Sequence, residues 1–107
     1  MRINLIVLYV SDLKASKEFY QSILNIEFVE ETHGSGPTHY SATLFGCVLE
    51  LYPKGSRAKS NLRIGFELDD LGLCIERLKL HKLPFQQRED NLVFIDLDGN
   101  TIELSSQ

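Results

Sequence analysis

The chain has 107 residues, which is long enough for one domain with its own hydrophobic core. Apolar residues make up 43% and charged residues 24%, values that exclude long disordered or fibrous segments. The net charge of −4, without a dense basic patch, argues against nucleic acid as a partner. The longest apolar run, residues 5–10, is far shorter than the ~20 residues of a membrane span. The two cysteines lack metal-ligand or disulfide-framework spacing, so we expect a cytoplasmic protein with reduced thiols and no membrane partner.

The first half of the chain predicts the element order βαβββ. Residues 3–10 have the apolar pattern of a strand buried on both faces. Asp12, or Ser11 beside it, is placed to cap a helix whose apolar residues recur every three or four positions. Three short strands are predicted next, at residues 27–31, 40–44 and 47–52, with a weak turn signal at Phe45 and Gly46.

The second half repeats this order. Residues 62–68 are strand-like, Asp69 or Asp70 can cap a second helix, and strands are predicted at 85–88, 92–96 and 101–105. The sharpest internal match lies between residues 46–51 and 99–104, which share glycine, an aliphatic residue, glutamate and leucine at the same spacing. We therefore predict an α+β fold in which a single domain, residues 1–107, contains tandem modules at about 1–53 and 61–107.

Strand periodicity predicts a mixed polar and aromatic face opposite the core. Alternate positions of the last strands are aliphatic in both modules, so we expect them to lie beneath the helices. The opposite face combines two glutamates, an arginine and two tyrosines with apolar side chains, a mixture that suits a ligand cleft. Its predicted members are Tyr9, Val48, Glu50, Tyr52, Arg63 and Glu103.

Two motifs resemble those of a known superfamily. Residues 9–20, YVSDLKASKEFY, resemble the opening motif of the glyoxalase/bleomycin-resistance/dioxygenase proteins, the vicinal-oxygen-chelate superfamily. Residues 96–104, DLDGNTIEL, resemble its closing motif. The resemblance implies paired βαβββ modules that form a curved mixed sheet around a cleft, with helices on the outer face and commonly a homodimer. It specifies fold more strongly than activity, because one fold hosts many chemistries.

The resemblance also implies a metal-ligand pattern, which this chain retains in half of its positions. In metal-dependent members, each first strand and each last strand supplies one His, Gln or Glu to a divalent ion that chelates adjacent substrate oxygens. The last-strand positions fall on Glu50 and Glu103, whereas the first-strand positions fall on Leu5 and Arg63. Leucine has no donor atom, and arginine is a permanent cation that can pair with Glu103 or Glu50. We therefore expect no cofactor, with a divalent ion (Mg, Mn, Ni or Zn) on the two glutamates as the alternative.

Histidines and cysteines add a few further candidates. A glycine-rich loop at residues 32–39 carries His33, interpreted as a turn residue, and His39, a candidate for contact with a ligand or a metal. His81 is expected to act as a favourable cation at a helix C-terminus. Cys47 and Cys74 fall on predicted core faces, so we assign them packing roles.

Three functions are compatible with these residues. The first is a small-molecule-binding protein with a degenerate metal site, similar to bleomycin-resistance proteins. Its organic ligand would contact Tyr9, His39, Val48, Glu50, Tyr52, Arg63 and Glu103. The second is a metal-dependent lyase, isomerase or dioxygenase that acts on adjacent oxygens and uses Glu50 and Glu103 as ligands. The third is a dimerisation or regulatory module with a vestigial cleft.

Overall fold

The protein is described by a computed structural model that covers all 107 residues. Two compact units divide the chain, Met1–Ser60 and Asn61–Gln107, and the element order of each is βαβββ. The α+β class with tandem modules is therefore confirmed. The elements are β1 (Leu5–Val10), α1 (Leu13–Leu24), β2 (Val29–Glu31), β3 (His39–Leu44), β4 (Cys47–Pro53), β5 (Arg63–Leu68), α2 (Leu71–Leu80), β6 (Gln86–Gln87), β7 (Leu92–Ile95) and β8 (Thr101–Ser106).

Each unit contains one four-stranded mixed sheet, and the strand pattern is the same in both. The strand order is β1-β4-β3-β2 in the first unit and β5-β8-β7-β6 in the second. The first and last strands of each unit pair in parallel, while the other neighbours pair antiparallel. A parallel pair needs a crossover connection, which the helix and the two intervening strands provide.

Aspartate side chains begin both helices. The Asp12 carboxylate accepts a hydrogen bond from the backbone N–H of Ala15 at 3.0 Å, and Asp70 accepts one from Leu73 at 3.0 Å. Each bond satisfies an N–H that has no partner within the first helical turn. Both caps were predicted. Of the two candidates at each helix, the N-cap residue is Asp12 and not Ser11, and Asp70 and not Asp69. Neither helix is long and apolar enough to cross a membrane.

The hydrophobic core of each unit lies between its helix and the aliphatic face of its sheet. Tyr20 and Ile23 of α1 are buried in the first unit, and Leu78 of α2 is buried in the second. The sheets contribute the aliphatic residues predicted for this face, namely Leu49, Leu51, Ile102 and Leu104. Burying such a side chain contributes roughly 1.5–3 kcal/mol.

The two cysteines differ in burial. Cys74 of α2 belongs to the core, as predicted, whereas Cys47 is half-buried. Cys47 is the first residue of β4 and follows the hairpin turn directly, so its side chain is less covered than those further along the strand. Cys47 shares the strand alternation of the buried Leu49 and Leu51, so it lies on the core face predicted for it while remaining half-buried.

The closing motif forms a buried hydrogen-bond network in the second unit. One carboxylate oxygen of Asp96 accepts bonds from the backbone N–H groups of Asp98 and Asn100, at 2.9 and 2.8 Å. The Asn100 amide donates to the other oxygen of Asp96 at 2.9 Å, and its own oxygen accepts from the backbone N–H of Leu62 at 3.0 Å. The network therefore ties the turn before β8 to the residue that precedes β5.

Candidate functional site

Four in-register side chains cross the first sheet on the face opposite α1. Tyr9 of β1 pairs with Tyr52 of β4, and Glu31 of β2 pairs with His39 of β3. Because Tyr40 pairs with Leu51 in the antiparallel β3–β4 ladder, His39 lies beside Tyr52. We call these residues, Tyr9, Tyr52, His39 and Glu31, the aromatic row.

A second row lies two residues along the same face. Glu50 of β4 pairs with Val7 on one side and Ser41 on the other. Val48 begins a third row, in which it pairs with Leu5 and Thr43. Strand alternation thus places the predicted Tyr9, Val48, Glu50 and Tyr52 on one face, as expected from their sequence positions.

Aromatic contacts connect the members of the aromatic row. The rings of His39 and Tyr52 stack with centroids 4.2 Å apart and planes inclined by 9°. Tyr9 and Tyr52 are tilted, with centroids 6.1 Å apart. The guanidinium of Arg57 lies 4.3 Å from the centroid of the Tyr9 ring, a cation–π geometry. The row therefore offers an aromatic surface bounded by a cation at one end and a carboxylate at the other.

His39 is held in one orientation. The residue is 1% exposed, and its Nδ1 lies 3.2 Å from the carbonyl oxygen of Pro37. A carbonyl can accept a hydrogen bond but cannot donate one, so Nδ1 carries the proton of this bond. Nε2 then faces three oxygens: the Tyr52 hydroxyl at 3.4 Å, Glu50 Oε2 at 3.5 Å and Glu31 Oε1 at 3.7 Å.

The Tyr52 hydroxyl lies in a negative environment. Desolvation by burial, followed by the charges of Glu50 and Glu31 and the neighbouring Tyr9, raises the pKa of Tyr52 above its usual value of 10.0. The phenol therefore remains protonated at neutral pH and can donate a hydrogen bond. Nε2 of His39 is the acceptor beside it, at 3.4 Å.

The second unit carries an ion pair at the corresponding place. Glu103 of β8 pairs in register with Gly65 of β5, just as Glu50 pairs with Val7. Arg63, two residues before Gly65, donates a hydrogen bond from Nη2 to Oε1 of Glu103. Of the two partners that the sequence allowed for Arg63, Glu103 is therefore the one observed.

The first-strand positions contain no ligand atoms that suit a cation. Leu5, two residues before Val7, has an aliphatic side chain that is 50% exposed. Arg63 brings a positive charge to the corresponding position of the second unit. Each unit thus offers one carboxylate at these positions, and that of Glu103 is already engaged by a guanidinium.

The sequence did not single out Glu31, and it predicted a turn at His33 without the contact between His33 and His39. Glu31 ends a predicted strand and carries no motif, so its position beside His39 depends on the β2–β3 register. His33 begins a turn, as predicted, because its carbonyl accepts from the N–H of Gly36 at 2.9 Å. Its ring also lies 5.1 Å from that of His39, centroid to centroid, and its Nε2 lies 4.0 Å from Glu31 Oε2. His81 is the C-cap residue of α2, at the helix end where it was predicted.

Residues 2–104 match the family model of the Glyoxalase/Bleomycin resistance protein/Dioxygenase superfamily. The chain therefore belongs to this superfamily, as its two motifs indicated. No curated protein matches the sequence.

Solved structures share the fold at low sequence identity. TnmS3, an antibiotic binding protein from Streptomyces sp. CB03234, aligns with a TM-score of 0.80 at 21% identity, over 99% of this chain and 95% of that one. VPC_CASS1, from the mobile metagenome of V. Pseudocholerae, gives a TM-score of 0.80 at 21% identity, over 99% of this chain and 94% of that one. Lactoylglutathione lyase from Agrobacterium tumefaciens gives 0.75 at 18% identity, over 98% and 92%. These similarities establish a common fold that serves both binding and catalysis.

Proposed function

We propose that this protein binds a small organic molecule and that the metal site of its superfamily is degenerate. The observation that carries the proposal is the aromatic row beside Glu50. Tyr9 and Tyr52 present ring surfaces for a flat or apolar ligand, while Glu50 provides a polar group that can orient it. Binding sites commonly combine such apolar walls with a few placed polar groups.

Each unit, taken by itself, contributes proposed ligand contacts. In the first unit they are Tyr9, His39, Val48, Glu50 and Tyr52. In the second unit, Arg63 and Glu103 supply a charged pair that can exchange its mutual hydrogen bond for bonds to a polar ligand. We infer a planar organic molecule with at least one hydrogen-bond donor, since carboxylates dominate the polar groups beside the aromatic row.

The residues at the superfamily's metal positions support a function without that metal. Leu5 cannot coordinate an ion, and the guanidinium of Arg63 would repel one beside Glu103. The residue types at these four positions therefore do not suit a tightly bound divalent ion. The fold shared with an antibiotic binding protein is consistent with ligand capture as the activity.

A ligand screen by thermal unfolding tests the proposal. Planar aromatic compounds, including aromatic antibiotics, are added to the intact protein, and the Tm is measured. A ligand at about 100 times its Kd stabilises the folded state by about 2.7 kcal/mol, which raises the Tm of a domain of this size by roughly 10 °C or more. Tyr9→Leu and Glu50→Gln should reduce the shift, whereas His81→Asn at the end of α2 should leave it unchanged.

Three results would count against ligand binding on this face. If no compound moves the Tm, the dimerisation or regulatory module is favoured. If Tyr9→Leu and Glu50→Gln leave the shift intact, the ligand binds elsewhere. If conversion of a substrate with adjacent oxygens is lost in a Glu50→Gln, Glu103→Gln double variant, the metal-dependent enzyme is favoured. We also propose that the protein is a homodimer, which light scattering of the purified protein would test. We propose a cytoplasmic location for it as well.

A further inference from the structure

We propose that Glu31, His33 and His39 form a binding site for a divalent transition-metal ion of the Zn²⁺ class. We call it the edge site, because β2 is the edge strand of the first sheet and the loop that follows carries His33. The three residues contribute two imidazole nitrogens and one carboxylate, a donor set that Zn²⁺ accepts in proteins. The proposal does not rest on the proposed ligand-binding function, although His39 belongs to both.

The ligand atoms are close enough to share one ion. All three lie within 4.8 Å of one another. Oxygens of Glu31 lie 3.7 Å from Nε2 of His39 and 4.0 Å from Nε2 of His33. Bonds of about 2.0–2.1 Å in a tetrahedral arrangement place ligand atoms roughly 3.4 Å apart. The required contraction is small, and His33 can supply it because its side chain lies on a loop and is 71% exposed.

His39 has the supporting contacts typical of a metal-binding histidine. Its Nδ1 donates to the carbonyl of Pro37, which leaves the Nε2 lone pair directed at the cluster. The stacked ring of Tyr52 holds the plane of the imidazole. Metal-binding histidines commonly donate their second N–H to a carbonyl or carboxylate in this way, which fixes the tautomer and the ring orientation.

The charge around the edge site favours a cation. Glu31 and Glu50 both face Nε2 of His39, and the side-chain nitrogens within 4.0 Å of their carboxylates belong to histidines rather than to lysine or arginine. Two carboxylates held this close without a permanent positive charge attract a divalent ion. Imidazole suits Zn²⁺, Cu²⁺ and Ni²⁺, whereas Mg²⁺ and Ca²⁺ prefer oxygen ligands alone, so the site should discriminate between these groups.

The edge site shares no ligand residue with the metal positions of the superfamily, although Oε2 of Glu50 lies 3.5 Å from Nε2 of His39. Those positions lie on the first and last strands of each unit, at Leu5, Glu50, Arg63 and Glu103. The edge site lies on β2, β3 and the loop between them. A metal titration can therefore tell the two apart through variants that affect one set of residues and leave the other intact.

The test measures Zn²⁺ binding to intact, untagged protein after chelator treatment. Affinity is obtained by competition with a coloured chelator, and Co²⁺ serves as a spectroscopic substitute that absorbs visible light. We expect one ion per chain, a rise in Tm with Zn²⁺ and no rise with Mg²⁺. His33→Ala and Glu31→Gln should each weaken binding by at least the roughly 10- to 100-fold that loss of a supporting contact causes.

Matched controls keep the result specific. His81→Ala removes a histidine from the end of α2, and Glu89→Gln removes an exposed carboxylate of the second unit, so both should retain wild-type affinity for Zn²⁺. His33 is exposed, so its variant should fold, as circular dichroism would verify. The absence of stoichiometric binding, or binding that survives both His33→Ala and Glu31→Gln, overturns the proposal. If the protein binds Zn²⁺ but no compound of the ligand screen, only the edge site is supported. If it binds an organic compound but not Zn²⁺, only the proposed function is supported.

Discussion

His39 and Tyr52 stack face to face, with ring centroids 4.2 Å apart, and so join β3 and β4 on the face of the first sheet opposite the helix. The contact buries a histidine while directing its Nε2 at the oxygens of Glu31 and Glu50. The stack fixes the plane of the ring, and the Tyr52 hydroxyl makes only a long hydrogen bond of 3.4 Å to Nε2. The same stack therefore supports the proposed ligand surface and the proposed edge site.

Two substitutions of Tyr52 distinguish the contribution of its ring to stability from that of its hydroxyl. Tyr52→Phe keeps the stack and loses a long hydrogen bond of 3.4 Å to His39, so we expect a Tm close to that of the wild type. Tyr52→Leu loses the stack and should lower the Tm by several degrees, because aromatic pairs stabilise beyond the area that they bury. Thermal unfolding of the two variants side by side makes the comparison. Equal losses would mean that the hydroxyl, not the ring, stabilises the site.

Arg63→Ala should have little effect on stability. The Arg63–Glu103 pair is partly exposed, and such ion pairs contribute about 0–1 kcal/mol. The variant should therefore unfold in urea within about 1 kcal/mol of the wild type, while an organic ligand that contacts Arg63 should give a smaller Tm shift. Arg63→Lys is the matched control, because it keeps the charge and loses the planar pair of donors. A large loss of stability in Arg63→Ala would show that the pair is structural.

Asn100→Ala should be strongly destabilising. Asn100 is fully buried, and its loss would leave an oxygen of Asp96 and the N–H of Leu62 without the bonds that the amide makes. Each buried group left unsatisfied costs about 1–3 kcal/mol, so we expect a total loss of about 2–6 kcal/mol for the two groups. Urea denaturation gives the value, and exposed Asn61→Ala, expected within about 0.5 kcal/mol of the wild type, is the control. A similar loss in both variants would contradict a specific role for the network.

The buried thiol of Cys74 should make stability fall in alkaline solution. Burial raises the pKa of Cys74 above its usual value of 9.0, so the folded chain keeps this proton at a pH where the unfolded chain releases it. The contribution of Cys74 to the free energy of unfolding is therefore complete at pH values below the pKa of the thiol in the unfolded chain. This contribution declines as the pH rises above that pKa. We expect the free energy of unfolding to decrease from pH 8 to pH 10 more steeply in the wild type than in Cys74→Ala.

Thiol labelling provides an independent check on the same residue. Cys47 is half-buried and should react with a thiol reagent in the folded protein, whereas Cys74, 3% exposed, should react after unfolding. Rapid labelling of both thiols under native conditions, or identical pH slopes in the wild type and Cys74→Ala, would contradict the assignment.

Local pattern was sufficient to predict most of the architecture. The helix caps at Asp12 and Asp70 depend on contacts three residues away, which a sequence displays directly. Strand alternation placed Leu49 and Leu51 in the core and Glu50 and Tyr52 on the opposite face, because successive side chains of a strand point in opposite directions. The repeat of the Gly-x-x-aliphatic-Glu-Leu pattern then predicted equivalent registers for Glu50 and Glu103, which the parallel ladders display.

Tertiary structure decided which residues meet around His39. The proximity of Glu31 depends on its pairing with His39 across the β2–β3 loop, and a register shift of one residue would turn Glu31 to the other face. The turn that begins at His33 brings a second imidazole back over the sheet, although nothing in the local sequence specifies that path. The sequence by itself thus determined the strands, their faces and the presence of leucine and arginine at positions 5 and 63. The cluster of Glu31, His33 and His39 was decided by strand pairing and loop path, since both arise from contacts between segments that local pattern does not encode.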